Sequence, residues 1–216
     1  MKRFYLWGVI CVGFFMGCSN REKYIFPNGD VYIGSMSDGV GHGKGVYFHF
    51  NGGLYSGEFQ KGIREGYGAS SMPSGTRYVG EWQNDLINGR GFMMFPDGTT
   101  YEGNFKDGLM HGRGTMTYAD GAVYSGDFQG GEKKGQGRIV RPDGVTYEGT
   151  WQESLPWGKG VITYENGDRY EGNFYKNKMN GKGTYFRANG DKYSGLFESN
   201  RYIEKGQKEV GALSAP

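Results

Sequence analysis

The sequence predicts an all-β fold, an elongated antiparallel β-meander of repeated hairpins, with seven full 23-residue repeats and a cap at each end. Three observations predict it. Tyr32, Tyr55, Tyr78, Tyr101, Tyr124, Tyr147, Tyr170 and Tyr193 follow one another at 23-residue intervals without insertion or deletion. Each is followed two residues later by glycine and four residues later by a bulky apolar residue, as in Tyr101-Glu102-Gly103-Asn104-Phe105. Short alternating stretches are separated by Asn-Gly and Asp-Gly pairs. A fixed period of this length is the signature of an architecture in which each unit contacts only its neighbours.

The unit Tyr101 to Val123 shows how each element arises. Tyr101, Gly103 and Phe105 alternate with Glu102, Asn104 and Lys106, a period of two that places rings on one face of a strand and polar groups on the other. A second strand runs from Gly112 to Tyr118, with Met116 and Tyr118 on the ring side and the β-branched Thr115 and Thr117 opposite. Asp120-Gly121 closes the unit as a tight turn with positive φ at its centre. A second turn centres on Asp107-Gly108, and its counterparts carry Gly, Asn or Asp at the second position except at Ser154, where a different turn is expected. Glycines inside strands weaken them. Gly103, Gly112 and Gly114 are therefore read as gaps over which the rings of Tyr101, Phe105 and Tyr118 lie. Two strands per unit at roughly 4.8 Å give about 10 Å per repeat and a ribbon on the order of 70 Å long.

Composition agrees. The chain has 216 residues and 42 glycines, far above the roughly 7% of ordinary soluble proteins, without a Gly-X-Y triplet. Its 17 Tyr, 14 Phe and 4 Trp exclude a disordered linker. Asn28-Gly29-Asp30-Val31 reads as the closing turn of a missing unit. At the other end an eighth unit begins at Tyr193 and decays through Glu204.

The unit Tyr-x-Gly-x-Trp/Phe-x-x-Gly-x-x-x-Gly-x-Gly, seen in its tryptophan form at Trp82 and Trp151, resembles the MORN repeat over residues 32–206. The resemblance implies an elongated antiparallel ribbon with a role in scaffolding or membrane association.

The N-terminus is of another kind. Lys2 and Arg3 precede an apolar run from Phe4 to Met16, too short for the about 20 residues of a bilayer span. Gly17-Cys18 then resembles the lipobox of bacterial lipoproteins, which implies that Cys18 is acylated and becomes the first mature residue. Phe15 and Met16 depart from that pattern. An uncleaved signal-anchor and an ordinarily cleaved leader are the alternatives. The expected organisation is a lipoprotein-type signal peptide at 1–17, a short tether at 18–27, the repeat domain at 28–206 and a frayed tail at 207–216. The expected location is the bacterial cell envelope, lipid-anchored to a membrane.

Charge excludes some partners. The chain carries 25 Lys+Arg and 23 Asp+Glu, and loss of Lys2 and Arg3 with the leader leaves 23 of each. Such balance provides no drive toward nucleic acid.

No catalytic constellation stands out. His42 and His111 share one loop offset but lie three units apart, and that position is Glu65, Asn88, Lys134, Trp157 or Asn180 elsewhere. Metal ligation needs such groups to converge, so no metal and no cofactor are expected. Glu102, Glu148 and Glu171 share one offset, and Glu58, Glu81 and Asp127 another. They are expected opposite the rings, paired across strands with Arg90, Arg113, Lys159 and Lys182, and not in the asymmetric pair that glycoside hydrolysis requires. The expected function is a membrane-tethered, non-catalytic repeat scaffold that holds a protein partner along the ribbon. The alternative is a small-ligand module for a lipid headgroup or envelope glycan, stacking on exposed rings such as Trp82, Tyr101 and Tyr118. Trp157 is a further contact candidate, because no other repeat has a large ring there.

Overall fold

The computed structural model describes residues 22–203. Cys18 and the segments 1–17 and 207–216 lie outside the described residues, as does Glu204. Seventeen strands form one sheet. They are β1 (Glu22–Ile25), β2 (Val31–Ser37), β3 (Val40–Phe48), β4 (Leu54–Gln60), β5 (Ile63–Ser71), β6 (Arg77–Gln83), β7 (Leu86–Met94), β8 (Thr100–Lys106) and β9 (Leu109–Thr117). The second half comprises β10 (Val123–Gln129), β11 (Glu132–Val140), β12 (Thr146–Gln152), β13 (Leu155–Thr163), β14 (Arg169–Tyr175), β15 (Lys178–Phe186), β16 (Lys192–Glu198) and β17 (Arg201–Ile203). Every strand pairs antiparallel with the next in the chain, from β1–β2 to β16–β17. The expected meander is therefore the observed one. β1 lies within residues 18–27 and pairs with β2, so a strand precedes the first full repeat.

A single sheet has no second layer to cover it, and here the rings cover one another. Tyr32, Phe59, Tyr55, Trp82, Tyr78, Phe105, Tyr101 and Phe128 form an unbroken edge-to-face series that continues to Phe197. From Phe59 to Phe174 each Phe or Trp is wedged between the tyrosine of its own repeat and that of the repeat before, with centroids 4.9–5.5 Å apart, while Phe197 packs on Tyr170 and Tyr202. Such contacts contribute roughly 0.5–1.5 kcal/mol each beyond area burial. They couple neighbours only.

The tyrosine itself is locked at both ends. Tyr101 is 0% exposed, and its hydroxyl donates to the carbonyl of Asn104 at 2.9 Å. Six equivalent tyrosines make the same bond to the third residue on, as Tyr55 does to Glu58. The ring crosses Gly103 and Gly114, where an added Cβ would come within 3 Å of ring atoms. Those two glycines are gaps, as expected. Gly112 is not: its φ is +62° and the space beside it faces Asn104 on the opposite side of the sheet. It forms the bulge at which the β8–β9 register shifts.

The two turns also differ from expectation. In the loop after each second strand only the glycine has positive φ. Tyr118 donates to the carbonyl of Ala122, Gly121 donates to that of Tyr118, and Gly121 has φ +92°. This is a three-residue loop with a left-handed third position. The residue before the glycine is Asn or Asp, or Ser at Ser74, because its side chain accepts from the backbone two residues on, as Asp120 does from Ala122 at 2.9 Å. The Asn28-Gly29 cap forms the same loop.

The other turn needs positive φ at both central residues, and Glu153-Ser154 adopts it with φ +51° and +62°. Ser154 is thus no exception. Its amide donates to the Lys133 carbonyl of the previous tip, and its hydroxyl accepts from the Lys133 amide. Asp85 and Asn200 hold their neighbours the same way.

Candidate binding face

The face opposite the rings carries no stacked ring series, and its rows change along the chain. Ile33, Val46, Ser56, Ala69, Val79 and Phe92 are successive cross-strand partners. The same row continues through Glu102, Thr115, Ser125, Arg138, Glu148, Val161 and Glu171. It is apolar or small in the first half, with Val79 and Phe92 about 40% exposed, and in the second it mixes Glu102, Arg138, Glu148 and Glu171 with Thr115, Ser125 and Val161.

Over β11 to β17 this face forms a groove of about 1610 Å³. Its floor is the glycine backbone at Gly149, Gly160, Gly172 and Gly183, which brings peptide groups to the surface. Its walls carry Arg138, Glu148, Lys159, Glu171 and Lys182, and Leu196, Tyr202 and Ile203 close one end. Arg138 meets Glu148 at 3.9 Å, and Arg169 meets Glu171 at 3.4 Å. Both pairs are exposed and contribute little to stability.

The second row of acidic residues serves the backbone. Glu81 accepts from the Arg90 amide at 3.0 Å, and Asp127 from the Gln136 amide at 3.0 Å, so each occupies the bulge opened by the positive-φ glycine. Of the cations expected opposite these carboxylates, Arg113 reaches Asp127 at 3.6 Å. Arg90 engages Glu81 through its amide. Lys159 and Lys182 lie in register with Asn173 and Leu196.

The four ring candidates separate. Trp82 is 4% exposed, wedged between Tyr55 and Tyr78, with its indole N–H donating to the Gly68 carbonyl. Tyr101 is buried in the same series. Neither presents a face for stacking, because a single-layer sheet needs those rings as its core. Tyr118 is half-buried, and its hydroxyl accepts from Lys133 Nζ at 3.0 Å. Trp157 is half-buried against Tyr175, with centroids 4.6 Å apart, while Tyr175 is exposed.

Two features escaped the sequence reading. Lys133 Nζ sits 4.7 Å from the centroid of Trp151 and 5.3 Å from that of Tyr124, and the Arg64 guanidinium sits 4.5 Å from that of Trp82. At this position the other repeats carry Gly41, Ile87, Met110, Pro156 and Met179, and the next ring is then Phe. The signal was a cation that recurs only where the following unit carries Trp. The second feature is Asp30, which is buried and accepts from Tyr47 Oη at 2.6 Å and the Phe50 amide at 2.9 Å. Asp168 repeats this with Tyr185 and Ala188. The Tyr47 bond holds the Asp30 carboxyl below its ordinary range, and the Ala188 amide does the same for Asp168. Among the described residues no group of three His, Cys, Asp or Glu side chains could hold a metal.

One twisted sheet, coupled only between neighbouring units and presenting a variable face, defines a solenoid-like β-repeat protein. The MORN repeat model matches residues 32–54, 55–77, 78–100, 101–123, 124–146, 147–169 and 170–192, and the chain belongs to that family. No match was found among curated protein sequences. Among solved structures, the chain is similar to the TCP domain of Drosophila melanogaster SAS-4 (dCPAP), in complex with a proline-rich motif of Ana2 (dSTIL). The identity is 15% and the TM-score 0.39, over 82% of this chain and 84% of that one. It is also similar to the TCP10 domain of Danio rerio CPAP, in complex with a STIL peptide. There the identity is 14% and the TM-score 0.47, over 91% of this chain and all of the other. Likeness at this level transfers no partner.

Proposed function

We propose that this protein is a non-catalytic scaffold whose repeat face binds an extended segment of a protein partner, held at the bacterial cell envelope by acylated Cys18. The observation that carries the reading is the groove over β11–β17. It crosses the strands, exposes backbone along its floor and offers both charge signs on its walls. From β11 to β17 it spans about 29 Å, room for about nine extended residues. Stacking on a glycan or headgroup is the weaker reading, since Trp82 and Tyr101 are buried and Tyr118 and Trp157 are engaged by Lys133 and Tyr175. The tether is a separate part of the proposal and rests on the sequence alone.

The binding reading is tested by selecting peptides from a displayed random library on the full chain. Selected peptides should lose at least about tenfold in affinity on Val161→Trp and Thr184→Trp, which fill the groove from an exposed face. Unchanged affinities, or no enriched peptide together with co-sedimentation of neutral or anionic vesicles, would overturn it. For the tether, Cys18→Ser should move the protein from the membrane fraction to the soluble fraction. Retention in the membrane would refute acylation as the anchor.

A further inference from the structure

Lys159 and Lys182 are the groove's uncompensated charges. Both belong to the row of central residues in the Gly-x-Gly motifs, and each faces one residue of the next strand. In the earlier repeats that facing residue is often a carboxylate: Lys44 faces Glu58, Tyr67 faces Glu81 and Arg113 faces Asp127. In the last repeats it changes. Lys159 faces Asn173 and Lys182 faces Leu196. Among the described residues neither lysine makes an ion pair, whereas Arg138, Arg141 and Arg169 each have a carboxylate. The carboxylates lining the groove, Glu148 and Glu171, are engaged by those arginines.

The spacing is set by the repeat. Lys159 on β13 and Lys182 on β15 are two strands apart, about 10 Å. A chain in the extended polyproline II conformation advances about 3.1 Å per residue with three residues per turn, so it covers that distance in three residues and brings every third side chain to the same side. Beyond Lys182 the same row reaches Leu196 and then Ile203, which pair with each other and are 49% and 39% exposed. The row therefore reads cation, one repeat, cation, then an exposed aliphatic pair.

We propose that the groove selects an acidic extended segment of a protein, with two carboxylates three residues apart and a large apolar side chain within the next three residues. The carboxylates meet Lys159 and Lys182, and the apolar side chain meets Leu196 and Ile203. This rests on the peptide-binding reading above and names the chemistry of the segment. Arg90 and Arg113 repeat the spacing across Asn104, but Asp127 pairs with Arg113 at 3.6 Å and stands where Leu196 faces Lys182, so that site would repel an acidic segment and lacks the apolar contact.

The test uses the full chain and labelled synthetic peptides, read by fluorescence anisotropy. One peptide carries Glu-x-x-Glu followed by Leu, a second has the two Glu adjacent, and a third has Lys-x-x-Lys followed by Leu. The first should bind tightest. The Lys159→Glu/Lys182→Glu variant should lose at least about tenfold for it and gain the lysine peptide. Affinity should fall with added salt, since such pairs are screened. Both lysines are exposed, so the variant folds, and circular dichroism checks this. Equal binding of all three peptides, or binding that ignores the charge reversal, sinks the acidic preference and leaves the groove as a peptide site. An oligonucleotide that competes as well as the first peptide would also overturn it, by making the pair of lysines a general polyanion site. Absence of binding by any peptide, with none enriched from the library, would remove the peptide-binding reading itself.

Discussion

The two faces of this sheet obey different rules. On the ring face every full repeat lays its tyrosine over two glycines with the hydroxyl on a carbonyl, and every full repeat after the first sets a Phe or Trp between two tyrosines. On the opposite face the same strands carry Val79 and Phe92 in one half and Arg138, Glu148 and Glu171 in the other. A single layer buries one face only, and all of its packing stability must come from there. The other face is released from packing and can diverge from repeat to repeat. Stability belongs to the face where the repeats agree, and the proposed recognition falls on the face where they differ.

High pH should erase the distinction most completely. Burial raises the hydroxyls of Tyr55, Tyr101 and Tyr170 from 10.0 to about 12, and those of Tyr78, Tyr124 and Tyr147 are raised as well. A folded value above the unfolded one means that the stability is present in full below pH 10 and is lost as pH rises through about 12. The tyrosinate absorbance of the buried tyrosines should therefore appear only with the unfolding followed by circular dichroism, after that of exposed tyrosines such as Tyr67 and Tyr175. Tyrosinate formation by all the tyrosines near pH 10 with the fold intact would show that the stacked rings are accessible.

A smaller effect separates the faces by mutation. Gly114→Ala drives a Cβ into the Tyr101 ring and should cost about 3 kcal/mol in denaturant unfolding. Val79→Thr, on the exposed face and keeping the β-branched shape, should stay within about 0.5 kcal/mol. Comparable losses at both positions would contradict the division of labour.

The smallest effect tests the cation over tryptophan. A double-mutant cycle between Lys133→Met and Trp151→Phe should give a coupling of about 1 kcal/mol, against little for Met110→Leu with Phe128→Tyr. A coupling near zero would make Lys133 a passive cover held by the Tyr118 hydroxyl.

Much of this was legible in the chain. The tyrosine period placed every strand from β2 to β16, and the Tyr101, Gly103, Gly114 pattern located the gaps under the rings. Gly112 looked the same in sequence but works through its backbone, because a glycine's letter does not say whether space or positive φ is required. Ser154 looked unlike its counterparts, yet its hydroxyl does for the Lys133 amide what the Asp85 carboxylate does for that of Arg64. Trp82 and Tyr101 read equally as stacking platforms or core, since alternation tells which face a ring is on and nothing about what covers it.

By itself the sequence determined the number of units, their register and the face that carries the rings, because a period of two within a period of 23 admits one arrangement of hairpins. It also set the row in which Lys159 and Lys182 fall. Only the tertiary structure decided that the rings bury one another between repeats, that Glu81 and Asp127 close bulges, and that the second half of the opposite face is a groove. Those outcomes depend on twist and on contacts between neighbouring units, and a contact 23 residues away leaves no mark within the unit that makes it.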